Sequence, residues 1–161
     1  MTRSTTVATG PAETAATSPA PRRRRRLAAL ASLAAILGLL AAACGVEQDL
    51  ADRTNQSRAA YRLAPYQQNM ALYSKARAWS VKMARDGRLS HSNLADGNPY
   101  AWRRLGENVG YGPDVVTIHN ALMNSAGHRA NILDPYFQYF AIGIYTDGAG
   151  RLWVTEEFMQ L

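Results

Sequence analysis

Phe140-Ala141-Ile142-Gly143-Ile144-Tyr145 and Leu152-Trp153-Val154-Thr155-Glu156-Glu157-Phe158, joined through Thr146-Asp147-Gly148-Ala149-Gly150, decide the fold class. Both runs are rich in β-branched and aromatic residues, and the Asp-Gly turn folds one back on the other as a hairpin. Everything upstream reads differently. Asp114 can cap a helix with Val115, Ile118 and Leu122 on one side. Asn131-Ile132-Leu133 is a short helical turn that Asp134-Pro135 stops. Asn69 can cap an earlier helix whose Leu72, Ala76, Trp79 and Met83 share one face, with Gly87 as its stop. Glu47–Leu63 reads as a first helix ended by Pro65, with a thin apolar stripe (Leu50, Ala51, Tyr61) and Asn55 and Arg58 together on one face. Residues 86–112 are rich in Gly, Asn, Asp and Pro and are expected to be mostly loop. Helices first and strands last make an α+β class, not a parallel doubly wound sheet.

The chain has 161 residues, 47% of them apolar and 19% charged, which permits a packed core. Its formal charge of +6 is not spread over that core. Residues 1–43 hold six arginines and one acid, which leaves twelve basic and eleven acidic residues for the remainder, a net of +1. A body-wide grip on phosphates is therefore not supported, and no nucleic-acid partner is expected. Cys44 is the chain's one cysteine, so the fold is disulfide-free within the chain.

The amino-terminal third reads as an export segment. Residues 1–21 are Thr, Ser, Ala and Pro-rich and are expected to be disordered. Arg22–Arg26 precede the uncharged run Leu27–Ala43, whose 17 residues sit at the lower edge of a bilayer span. Basic, apolar and then small residues make a secretory signal over 22–44. Leu40-Ala41-Ala42-Ala43-Cys44-Gly45 resembles a bacterial lipobox, with Cys44 as the lipidated residue and Ala41 where that box usually has Leu. An ordinary A-x-A cleavage site and an uncleaved anchor are the other two readings. Each places the body, residues 47–161, outside the cytoplasm: on the outer side of the membrane or secreted.

Chemistry has few places to sit. His91 lies in Leu89-Ser90-His91-Ser92, and His128 in Ser125-Ala126-Gly127-His128-Arg129-Ala130-Asn131-Ile132-Leu133. Glu107 lies in Gly106-Glu107-Asn108-Val109-Gly110, where small flanking residues let the backbone approach other elements. His119 falls within the third helix, at its edge. The spacing of His91, Glu107 and His128 does not by itself form a metal motif. The glycine-rich loop is no phosphate cradle, no nucleophile elbow is present, and no catalytic residue stands out. Of Tyr136, Phe137, Tyr139 and Phe140, alternation can bury only some, and the rest are candidates to line an apolar groove.

These stretches, in this order, resemble the CAP superfamily (cysteine-rich secretory, antigen 5 and pathogenesis-related 1 proteins), in its bacterial SCP-like extracellular branch. Asn55 and Arg58, His91-Ser92, Gly106-Glu107-Asn108, Ser125–Leu133 and the closing hairpin carry the resemblance. It implies an α-β-α sandwich around a central antiparallel sheet, with a surface cleft lined by two histidines and two glutamates. His91, Glu107 and His128 take three of those places. The fourth falls near Asn124 or Ser125, which offer no carboxylate. Ser92, Asn108, Asn124, Ser125, Arg129 and Asn131 are the residues adjacent to the cleft. A reduced His-Glu-His set favours a monomeric binding module for a lipid, a cell-envelope component or a protein, with no cofactor required. Two imidazoles and a carboxylate also suit Zn²⁺ or another divalent cation, so the alternative is a zinc-dependent extracellular protease or esterase.

Overall fold

A computed structural model describes residues 45–161. The expected disordered segment, export signal and lipobox, Cys44 included, lie outside the described residues. No helix among the described residues is long and apolar enough to cross a membrane.

The chain runs through α1 (45–60), β1 (Gln67–Gln68), α2 (Met70–Asp86), β2 (Arg104–Gly112), α3 (Val115–Asn124), α4 (Ala126–Ile132), β3 (Tyr139–Thr146) and β4 (Leu152–Gln160). The sheet order is β1-β3-β4-β2. β3 and β4 form the expected hairpin, β2 pairs antiparallel with β4, and the two-residue β1 pairs parallel with β3. The class is α+β, and helices cover both faces of the sheet.

Strand alternation assigns the faces. Phe140, Ile142 and Ile144 of β3 and Leu152, Val154 and Phe158 of β4 pack against Leu50 and Ala51 of α1, Val115, Ile118 and Leu122 of α3, and Ile132 of α4. The opposite face meets α2, with Leu72 against Ala141 and Met159, and Met83 against Trp153 and Val109. α2 begins where Asn69 accepts hydrogen bonds from the backbone of Ala71 and Leu72, and ends at Gly87 in a left-handed conformation (φ 66°). It buries Leu72, Ala76, Ser80 and Met83. The approach to β3 is so close that a Cβ on Gly143 would lie 2.2 Å from the backbone nitrogen of Arg77. Ser80 completes the contact, with its hydroxyl 2.8 Å from the Gly143 carbonyl and 2.9 Å from Thr155 Oγ1.

The other face holds polar groups too. Arg58 is fully buried under α4, donating to the carbonyls of Ala64, Ile132 and Asp134 at 2.7–2.8 Å and lying 3.4 Å over the Tyr66 ring. Asn55 clasps the backbone of Tyr66 from both sides. The Asn55/Arg58 pair is thus the buckle that fixes the chain after α1. Glu47 accepts from the Ile144 amide at 2.9 Å, which satisfies β3 beyond the reach of short β1.

Two expectations are corrected. Residues 104–112, expected as loop, are the nine-residue strand β2. Its glycines mark close approaches, not turns: a Cβ at Gly112 would lie 2.8 Å from Ile118, and one at Gly106 3.0 Å from Phe137. Composition cannot separate such a strand from a loop, because its cause lies in α3 and in the chain before β3. His119 is not an edge residue. It is buried between α3 and α1, with Nε2 2.8 Å from Ser57 Oγ.

Candidate functional site

The site is built on the free edge of the sheet, at β2. Alternation there sends Glu107 and Val109 toward the α2 side, and Gly106, Asn108 and Gly110 toward α3 and α4. The Glu107 side chain is only 1% exposed. Its Oε1 accepts from the Ser92 amide at 2.9 Å and lies 2.7 Å from His91 Nδ1. The His91 ring itself is 62% exposed. A buried carboxylate therefore holds an exposed imidazole by one nitrogen and leaves the other for solvent or a ligand.

His128, in α4, approaches from the other side of β2. No bond joins it to Glu107, but the charge of His91 reaches it. Burial first, and His91 second, hold the His128 ring below the usual histidine range. His128 and Ser125 share a pocket of about 230 Å³ with Leu89, Val109, Gly110, Tyr111, Ile118, Ala121 and Leu122. The floor is apolar, and half-exposed Tyr111 stands at the rim, stacked on Trp153.

The neighbouring residues divide into two groups. Asn108 is fully buried and donates to the His128 carbonyl at 3.1 Å and to Glu156 at 2.9 Å. Asn131 donates to the Glu107 carbonyl and to Asn108 Oδ1. These amides lock α4 to β2 and so place His128. Ser92 gives its amide to Glu107 and accepts from Lys75 Nζ at 2.9 Å. Asn124 and Arg129 lie outside this arrangement. Asn124 is exposed at the end of α3, and Arg129 reaches back to the Tyr61 hydroxyl and ring. Of the four clustered aromatics, Phe137 and Phe140 are buried, while Tyr136 is exposed beneath the Arg104 guanidinium.

The geometry does not suit a three-ligand metal centre. Among the described residues no three His, Cys, Asp or Glu side chains are grouped to hold an ion. Glu107 Oε1 is committed to His91 and Ser92, which makes this carboxylate an orienter of the imidazole. The Ser57–His119 contact belongs to the packing of α1 on α3, with His119 Nδ1 buried and unpartnered.

Two residues that sequence reasoning passed over complete the surroundings of Glu107. Glu157 of β4 lies directly opposite Glu107 in register, and Lys75 of α2 binds the Glu157 carboxylate. The one available signal was the Glu156-Glu157 doublet in an otherwise apolar strand, since alternation must turn one of the two toward each face.

The sequence profile of the CAP cysteine-rich secretory protein family matches residues 51–158, from α1 to β4. The chain belongs to this family. The uncharacterized protein YkwD of Bacillus subtilis is 32% identical over 124 residues, covering 70% of this chain and 46% of YkwD. An SCP-domain extracellular protein of Bacillus anthracis superposes with a TM-score of 0.65 at 24% identity, covering 73% of this chain and 41% of that one. An outer surface protein of Borrelia burgdorferi gives a TM-score of 0.64 at 13% identity, with 70% and 90% covered. The chain thus spans less than half the length of its two Bacillus relatives, and the structural likenesses establish the CAP fold alone.

Proposed function

We propose that this CAP domain is an extracytoplasmic binding module whose cleft, at the β2 edge, takes an apolar group of a lipid, envelope component or protein beside His91 and His128. One observation carries the reading. At the β2 edge His128 lines a concave, largely apolar pocket, and His91, whose exposed ring a buried carboxylate fixes, lies within electrostatic reach of His128, which together is the ordinary make-up of a ligand site. The extracellular and outer-surface descriptions of the Bacillus anthracis and Borrelia proteins support an outside location. Tethering through Cys44 is part of the same proposal and follows from the sequence signal alone. Binding is favoured over hydrolysis because neither histidine holds a hydroxyl or thiol nucleophile among the described residues and the carboxylate is already committed.

The test is retention of purified residues 45–161 on lipid vesicles and on envelope fractions, compared with Gly110→Leu, which fills the pocket between Ile118 and Leu122. Retention lost in that variant supports the cleft as the binding surface. Retention unchanged moves binding elsewhere, and none at all removes the proposal.

A further inference from the structure

Lys75, Glu157, Glu107 and His91 form a line from the inner face of α2, across the sheet, to the exposed ring. Glu107 and Glu157 are cross-strand partners, and both are buried. Like charges directly opposite one another destabilise a sheet, so two such carboxylates need a compensating cation or a shared proton. The structure provides the cation. Lys75, itself only 10% exposed, binds Glu157 Oε1 and also donates to Ser92 Oγ, which lies 3.5 Å from the same Glu157 oxygen. Glu107 Oε2 is buried without a partner, on a carboxyl in contact with Glu157. Burial, against the pull of Lys75 and with the push of Glu107, raises the Glu157 carboxyl to about 7.

We propose that Lys75 and Glu157 are positioning residues of the cleft: they complete a four-member cluster that keeps negative charge on Glu107 and thereby holds His91 as its Nδ1–H tautomer, with the basic Nε2 turned to the ligand. With Lys75 present, the ammonium answers Glu157 and leaves Glu107 to accept from His91. Without it, two buried carboxylates stand together with no cation, and they take up a proton between them. The acceptor facing His91 then loses much of its charge, and a charge-assisted hydrogen bond becomes an ordinary one. Lys75 thus acts on a ring that it does not touch.

The inference deepens the binding proposal and rests on it for its purpose, but its test does not need a ligand. ¹⁵N NMR of residues 45–161 at pH 7.5 reads the His91 tautomer directly. The parent protein is expected to show Nδ1–H as the major form. Lys75→Met is expected to lower the ratio of Nδ1–H to Nε2–H by about tenfold. Lys75→Arg keeps the charge and is expected to keep the parent ratio. The double variant Lys75→Met/Glu157→Gln removes both charges of the ion pair and is expected to restore it. An unchanged ratio in Lys75→Met, or no recovery in the double variant, overturns the proposal. If Lys75→Met does not fold, Glu157→Gln replaces it and the proposal stands or falls on its result: the neutral amide frees Lys75 to draw on Glu107, so the Nδ1–H share must change, and an unchanged share overturns the proposal. A vesicle or envelope assay that fails while these ratios behave as stated would remove the binding reading and leave the positioning roles intact.

Discussion

Glu156 and Glu157 are neighbours in β4, both buried, and they face opposite layers of the molecule. Glu156 points under α1, where Thr54 Oγ1 at 3.2 Å and Asn108 Nδ2 at 2.9 Å are its neutral partners. Glu157 points under α2, where it meets an ammonium and a second carboxylate. Burial raises both to about 7. The difference is what opposes the rise: only hydrogen bonds from neutral groups for Glu156, a full charge for Glu157. The α1 side is a structural core in which Glu156 has no cation, whereas the α2 side is an electrostatic assembly that ends at an exposed imidazole. Burial alone therefore does not mark a functional carboxyl; what it touches, and whether that chain of contacts reaches the surface, does.

The comparison can be broken at four points. The largest effect is expected at Gly143. There α2 rests on β3 backbone to backbone, and Gly143→Ala has no flexible side chain to displace. A loss above about 3 kcal/mol is expected, enough to prevent folding of a marginal domain. A thermal melt within a few degrees of the parent would show that the α2 layer is less rigid than described. On the other face, Arg58→Ala removes the donor that the Ala64, Ile132 and Asp134 carbonyls share, leaving Asp134 only the Tyr66 hydroxyl, and is expected to cost about 3 kcal/mol by urea denaturation.

Glu157 adds its own component to the pH dependence, and the share from the α1 side belongs to Glu156. Its folded-state pKa lies above the unfolded value, so the unfolded chain releases its proton first as pH rises. The contribution of this carboxyl to stability is complete below about pH 4.5 and is lost between there and about 7, of order 3 kcal/mol in all. Unfolding free energies measured from pH 4.5 to 8 are expected to carry this downward component, and Glu156→Gln to remove it. An unchanged slope in the variant would assign it to another group. The smallest effect is expected at Asn69→Ala, which removes the cap of α2 and costs about 1 kcal/mol, measured as a shift in the denaturation midpoint.

Local signals made much of the fold legible beforehand. The Asn69 and Asp114 caps, the Gly87 stop and the Leu72-Ala76-Met83 face announced α2 and α3, because helix ends and faces are written in residues three or four apart. The hairpin was equally plain. β2 was not, because its glycines report contacts with Phe137 and Ile118, far along the chain. At the site, the pairing of His91 with Glu107 followed motifs already visible, whereas Lys75 and Glu157 carried no motif.

What the sequence by itself determined is the two ends of α2, the cap of α3, the closing hairpin and the family, through short motifs whose physics is local or whose residue strings are specific. Only the tertiary structure decided that Glu157 faces Glu107, that Lys75 answers it and that His128 comes within electrostatic reach of His91. Register and layer packing set those meetings, and a one-residue slip of β2 against β4 would turn Glu107 to the opposite face.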